Sequence, residues 1–167
     1  DVNFVDGQAL DASSFAEEDE DTGQWVPKEY THSTSDWHTL NDGTTWSDSL
    51  TGARTDGTNE KDKAFDGSLS TKAGTSTTGG TLTFTPSSAI AYTSSVKVYT
   101  HWGSANDVDV AINGGTAVTD AGNQWTTIAT GSGSITSMTF TGTTNSGEVS
   151  AIEIDGIILT DDAVDNS

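Results

Sequence analysis

Two stretches of this chain gather side chains with chemistry in them. In Ala64-Phe65-Asp66-Gly67-Ser68-Leu69-Ser70-Thr71, one carboxylate and three hydroxyls fall within six residues, around a glycine that permits a tight bend. Hard oxygen ligands in a short loop suit Ca²⁺. The same Asp66 can instead cap its own backbone amides in an Asx-turn. The second stretch, His101-Trp102-Gly103-Ser104-Ala105-Asn106-Asp107, sets a flat aromatic beside hydrogen-bonding groups. An aromatic face offers apolar area with few torsions to freeze, and polar neighbours can read the hydroxyls of a sugar stacked on it. Trp37, His38 and Trp46, near Asn41 and Asp42, form a further set of this kind. The glycan-binding candidates are therefore Trp37, His38, Trp46, His101, Trp102 and Asn106, each aromatic having the alternative of folding back into a core or a subunit contact.

The residue types point away from catalysis. The chain has no Cys, no Gly-x-Ser-x-Gly elbow and no phosphate loop, and no helix carries paired histidines. His32, His38 and His101 could meet on zinc only if distant loops converged. Carboxylates are so numerous that some pair falls at glycosidase spacing by chance. No nucleophile, base and oxyanion site assemble in one place, so the expectation is a non-enzyme. A formal charge of −19 with six scattered Lys and Arg opposes phosphate-backbone binding, so nucleic acid is not an expected partner. No apolar run approaches the ~20 residues of a membrane-spanning helix.

The elements that must position these residues read as strands. Thr81-Leu82-Thr83-Phe84-Thr85, Val96 to Tyr99 and Val108 to Ile112 alternate apolar with polar, the period of a half-buried strand. Asn113-Gly114-Gly115 supplies turn residues that accept positive φ. Trp125 to Ala129, Ile135 to Phe140 and Val149 to Leu159 add three more strands, with Trp125 assigned to the inner core. Turn signals every ~8–12 residues are the mark of a sandwich or barrel. The expected fold is an all-β jelly-roll or Greek-key sandwich over residues 23–162. An N-terminal strand (Val2 to Leu10) and acidic arm occupy residues 1–22, and a short tail 163–167. The run Glu17-Glu18-Asp19-Glu20-Asp21 reads as a solvated linker, or as an acidic arm for a basic neighbour. A start at Asp1 without Met or leader suits a processed product or fragment. The lack of Cys leaves the redox compartment open.

Lys63-Ala64-Phe65-Asp66-Gly67-Ser68-Leu69-Ser70-Thr71 resembles the A-x-D-G-x-x-x-T loop of the galactose-binding-like superfamily, which includes discoidin domains and bacterial carbohydrate-binding modules. The resemblance implies a structural Ca²⁺ held by the Asp66 carboxylate, the Lys63 and Thr71 carbonyls, and Glu153 from the last strand. This chain departs from the pattern at Ser68 and lacks a Trp after Thr71. A broader likeness covers residues 23 to 162. Gly23 to Tyr30, the Phe65-Asp66-Gly67 loop, the Thr81 strand and the ending Ser150 to Asp161 follow one another as in tandem modules of marine and cyanobacterial tailed-phage structural proteins. That resemblance implies a virion module, a capsid decoration, fibre or appendage, whose partners are its own copies, other virion proteins and a cell-surface glycan. The competing reading is a secreted bacterial carbohydrate-binding module, or a cell-surface filament or surface-layer subunit.

Overall fold

Period-two alternation decides which side of each strand turns inward, and the computed structural model follows it closely. The structure describes residues 16–18, 24–27, 38–41, 43–101 and 108–161. The chain divides into two units, Asp1–Asp36 and Trp37–Ser167. In the first, β1 (Ala16–Glu18) pairs antiparallel with β2 (Trp25–Pro27), Glu17 opposite Val26. The acidic run thus begins in a strand rather than in a linker. Pro27, which lacks a ladder donor, takes the last rung, opposite Ala16. The strand expected over Val2 to Leu10 lies outside the described residues.

The second unit opens with one helical turn, His38–Asn41, and a 3-10 turn, Trp46–Ser49. Its first large sheet runs β3 (Leu50–Thr51), β5 (Thr81–Phe84), β12 (Met138–Gly142), β8 (Val108–Ile112), β9 (Val118–Thr119). The second runs β10 (Trp125–Thr130), β7 (Ser95–Tyr99), β14 (Ala151–Ile154), β15 (Ile157–Ile158). Two smaller pairs, β4 (Ala73–Thr78) with β13 (Ser146–Val149) and β6 (Ile90–Tyr92) with β11 (Gly133–Ile135), flank them. Every pairing is antiparallel. From β5 onward the chain passes repeatedly from one large sheet to the other, which makes the domain a jelly-roll sandwich.

The inward positions are those the alternation picks out. Leu82 and Phe84, Val96 and Val98, Val108 and Val110, and Met138 and Phe140 are all at 0 % exposure. At one end of the core the rings of Trp46 and Phe65 lean on Phe84, with centroids 6.1 and 5.9 Å away.

Two expected strands are each broken in two. Ile135 to Phe140 divides at Thr136-Ser137, because Asn113 reaches across. Its Oδ1 accepts from the Thr136 amide and hydroxyl at 2.8 Å and from the Ser137 amide at 3.0 Å, and its Nδ2 donates to the Ser134 carbonyl. Val149 to Leu159 turns back at Asp155-Gly156, whose φ values of 52° and 89° form a two-residue hairpin between β14 and β15.

Asp155 also locks the neighbouring corner. Its carboxylate accepts from the amides of Thr93, Ser94 and Ser95 at 2.7 to 2.9 Å and from the Thr93 hydroxyl. Burial opposes the charge, but the Thr93, Ser95 and Ser94 amides outweigh it and hold the carboxyl below its ordinary range. A depressed folded pKa gives stability that is present above the unfolded value of ~3.9 and fades as pH falls through the folded one. Asp155→Asn, which tolerates the same backbone, is expected to melt below the wild type at pH 7. The gap should narrow steadily below about pH 4 in a series of thermal melts; a gap constant down to pH 2 contradicts this account.

Candidate functional site

A polar cleft forms where the segment following β3 meets the β4–β13 pair. Gly74 is its organising point. The Arg54 amide donates to the Gly74 carbonyl at 2.9 Å, and the Gly74 amide donates to the Asn59 carbonyl at 3.0 Å. One strand residue thus fixes both Arg54 and Asn59, and its lack of a side chain keeps the floor low. Strand register sets Glu148 opposite Gly74. Lys72, one residue before β4, meets Glu148 in an ion pair whose side chains are 14 % and 4 % exposed. Asn145 and Ser146 complete a cleft of about 210 Å³.

Arg54 is oriented before any ligand arrives. Its Nε donates to the Thr75 carbonyl at 2.8 Å, and Nη1 lies 3.5 Å from Asp56 Oδ2. Asp56 in turn accepts from the Asn59 and Thr58 amides at 2.9 and 3.0 Å. Those two amides hold its carboxyl down at about 2, so it stays ionised beside the guanidinium. Two further depressions, one of about 200 Å³ toward Gly52 and Lys61 and one of about 430 Å³ toward Ser76, also have Arg54 in their walls. The arrangement offers fixed donors, amides and a hydroxyl at nearly balanced charge, which suits a small ligand rich in hydroxyl groups.

None of the cleft residues is among the candidates read from the sequence. The signal present there is modest: four of the six basic residues fall between Arg54 and Lys72, a clustering that corrects the expectation of scattered cations.

The expected sugar platforms fare differently. Trp46 is corrected outright: it is 6 % exposed, its ring faces Phe84, and its Nε1 donates to Asn41 Oδ1 at 3.1 Å, so it offers no face to a solute. His101 is half-buried, just beyond β7. Trp37, Trp102 and Asn106 lie outside the described residues, as does the His38 side chain, whose backbone opens the helical turn. The ends of the described chain on either side of residues 102–107 are tied by buried Asp120. Its Oδ2 accepts from the Thr100 hydroxyl and, at 3.1 Å, from the Gly122 amide, while Oδ1 accepts from the Val108 amide at 3.0 Å.

The side chains of the expected calcium shell make contacts of their own. Asp66 Oδ1 accepts from the Ser68 amide at 2.9 Å, and both carboxylate oxygens accept from the Thr71 hydroxyl at 2.8 Å, which is the Asx-turn alternative. Lys63 is the third residue of the 3-10 turn Lys61–Ala64, its ammonium paired with Asp62 at 2.9 Å. Glu153 is committed to Lys97 across the sheet at 2.7 Å. Among the described residues no group of three or more His, Asp or Glu is placed to hold a metal ion. The two expected carboxylate ligands, Asp66 and Glu153, are thus each engaged by a partner within the protein.

No protein-family model matches the chain, and no curated protein matches it. Among solved structures it is similar to the CBM32 of AlyQ in complex with 4,5-unsaturated mannuronic acid, at 18 % identity over 63 % of this chain and 92 % of that one, with a TM-score of 0.47. It is also similar to the family 32 CBM from C. perfringens NanJ in complex with galactose, at 15 % identity over 65 % and 95 %, TM-score 0.44. A family 89 glycoside hydrolase from Clostridium perfringens matches at 14 % identity over 75 % of this chain and 15 % of its own, TM-score 0.47.

Proposed function

We propose that the sandwich is a non-catalytic carbohydrate-binding module whose ligand site is the Arg54 cleft. The observation that carries this reading is the cleft itself: a preset guanidinium, Asn59, Asn145 and Ser146 around a Lys72–Glu148 pair, in a space of about 210 Å³. Amide and guanidinium groups reach adjacent hydroxyls in pairs, and a cleft this small takes a terminal sugar rather than a folded partner. Holding Arg54 through Thr75 and Asp56 removes part of the ordering cost of binding.

Calorimetric titration with a panel of neutral and acidic mono- and disaccharides tests the site. Arg54→Ala is expected to weaken the best ligand about tenfold, equivalent to ~1.4 kcal/mol, with the melting temperature monitored alongside. Failure of the wild type to bind any saccharide overturns the reading.

The setting is proposed from the sequence resemblance. Carried in several copies on a tailed-phage particle, or on a bacterial cell surface, weak sites of this kind gain avidity from multivalency. Electron microscopy of the native source, asking whether the chain is ordered on particles or on cells, separates the two settings.

A further inference from the structure

The outer face of the second large sheet carries an aromatic pair that the cleft does not use. Strand register places Trp125 beside Tyr99, and in the next outward row Thr127 beside Lys97 and Lys97 beside Glu153. The two rows are about 7 Å apart along the strands. Trp125 and Tyr99 are half-buried and meet edge to face, with centroids 5.6 Å apart. Among the described residues neither the Trp125 indole N–H nor the Tyr99 hydroxyl has a hydrogen-bond partner, and neither is a buried unsatisfied atom. Both polar tips therefore open to solvent. Lys97 Nζ engages Glu153 Oε1 at 2.7 Å, and among the described residues Oε2 has no partner.

Stacking area, open donors and a fixed ammonium–carboxylate pair thus lie side by side across β10, β7 and β14. Tyr99 and Lys97 lie on β7, whose backbone is already paired with β10 and β14, while Trp125 lies on β10 at one end of the sheet; over β7 and β14 side chains alone must do the recognising. Aromatic rings with exposed polar tips beside a donor–acceptor pair fit a pyranose, whose axial hydrogens stack while its hydroxyls bond outward.

We propose that this face is a second glycan-binding surface, taking an extended saccharide chain with one ring on Trp125 and Tyr99 and the next ring's hydroxyls on Lys97 and Glu153. The inference rests on the carbohydrate-binding reading of the domain but not on the cleft. Retention of the wild-type chain on immobilised xylan, mixed-linkage β-glucan, galactan and alginate reads the surface, and titration with mono- and disaccharides reads the cleft. Trp125→Ala is expected to weaken retention on the preferred polymer about tenfold while leaving the short-sugar titration unchanged. Trp125→Phe should keep most of the retention, and equal melting temperatures exclude misfolding as the cause. Glu153→Gln should weaken retention by a smaller factor. If Trp125→Ala is retained like the wild type while short sugars still bind, the surface is overturned and the cleft stands. If polymers are retained through Trp125 and no short sugar binds, the surface stands and the cleft assignment falls. If the wild type binds neither, both fall.

Discussion

Gly147→Ala is expected to remove more than about 3 kcal/mol of stability, a large share of the roughly 5–15 kcal/mol that holds an ordinary domain folded. The reason is space. A Cβ at this position would stand 2.4 Å from the Gly80 carbonyl oxygen and 2.4 Å from that of Phe140. Both are backbone atoms of β5–β12 and its approach, so no side chain can swing aside. The same corner is closed by the Gly142 amide bonding the Gly80 carbonyl at 3.0 Å and the Gly147 amide bonding the Thr75 hydroxyl at 3.1 Å. Relief therefore means breaking the contact between β13 and the first sheet, beyond the ordinary cost of overpacking. Gly114→Ala is the matched control: φ is +68° but nothing lies within 4 Å, so only the ~1 kcal/mol of left-handed strain applies. Urea midpoints of the two variants test the contrast, and equal midpoints contradict it.

Asp120→Ala should be nearly as damaging. It leaves the Thr100 hydroxyl and the Val108 and Gly122 amides without their acceptor in a site where the residue is 2 % exposed. Each stranded buried donor costs ~1–3 kcal/mol. Part is recovered by water entering the hole, so a net loss of about 3 kcal/mol is expected. Asp120→Asn keeps one acceptor oxygen and should fall between. Because the Asp120 amide also donates to the Val108 carbonyl at 2.8 Å and Asn123 donates to Thr100 at 2.9 Å, the backbone frame survives. Hydrogen exchange should therefore speed up around Thr100, Val108 and Gly122 before it does in Val96 or Phe140. Uniform exchange across the domain, or a melting temperature within 2 °C of wild type (~0.5 kcal/mol), contradicts this role.

Alternation made the core legible in the sequence: Leu82, Phe84, Val96, Val98, Val108 and Val110 follow from period two alone. What alternation cannot show is a side chain acting at a distance. Asn113 interrupts the strand at Thr136 from more than twenty residues away, and nothing local to Ile135–Phe140 announces it. The two tryptophans exchanged places for a related reason. Trp125 and Ala129 sit four residues apart, so a regular strand turns them to the same face. The bulge between Thr127 and Ala129 resets the phase, so Ala129 packs on the core while Trp125 points outward beside Tyr99. Trp46, in a polar stretch with no period, is buried because Asn41 satisfies its indole and Phe84 receives its ring. The cleft was least visible, since Arg54, Lys72 and Glu148 meet only through the β4–β13 pairing.

The passage of the chain back and forth between sheets also governs how the domain is reached from the unfolded state. β3 pairs with β5, β5 with β12 and β4 with β13, so many of the ladders close loops of thirty to seventy residues (roughly, by their sequence positions) before any contact rewards them. Such chains fold on the millisecond-to-second scale rather than in microseconds. The Asp155-Gly156 hairpin is among the few pairings that close locally, and it belongs to the last part of the described chain. A ribosome must therefore release nearly the whole domain before the central strand β12 can find both neighbours, and until then Leu82, Phe84, Val96 and Val98 have no finished core to enter.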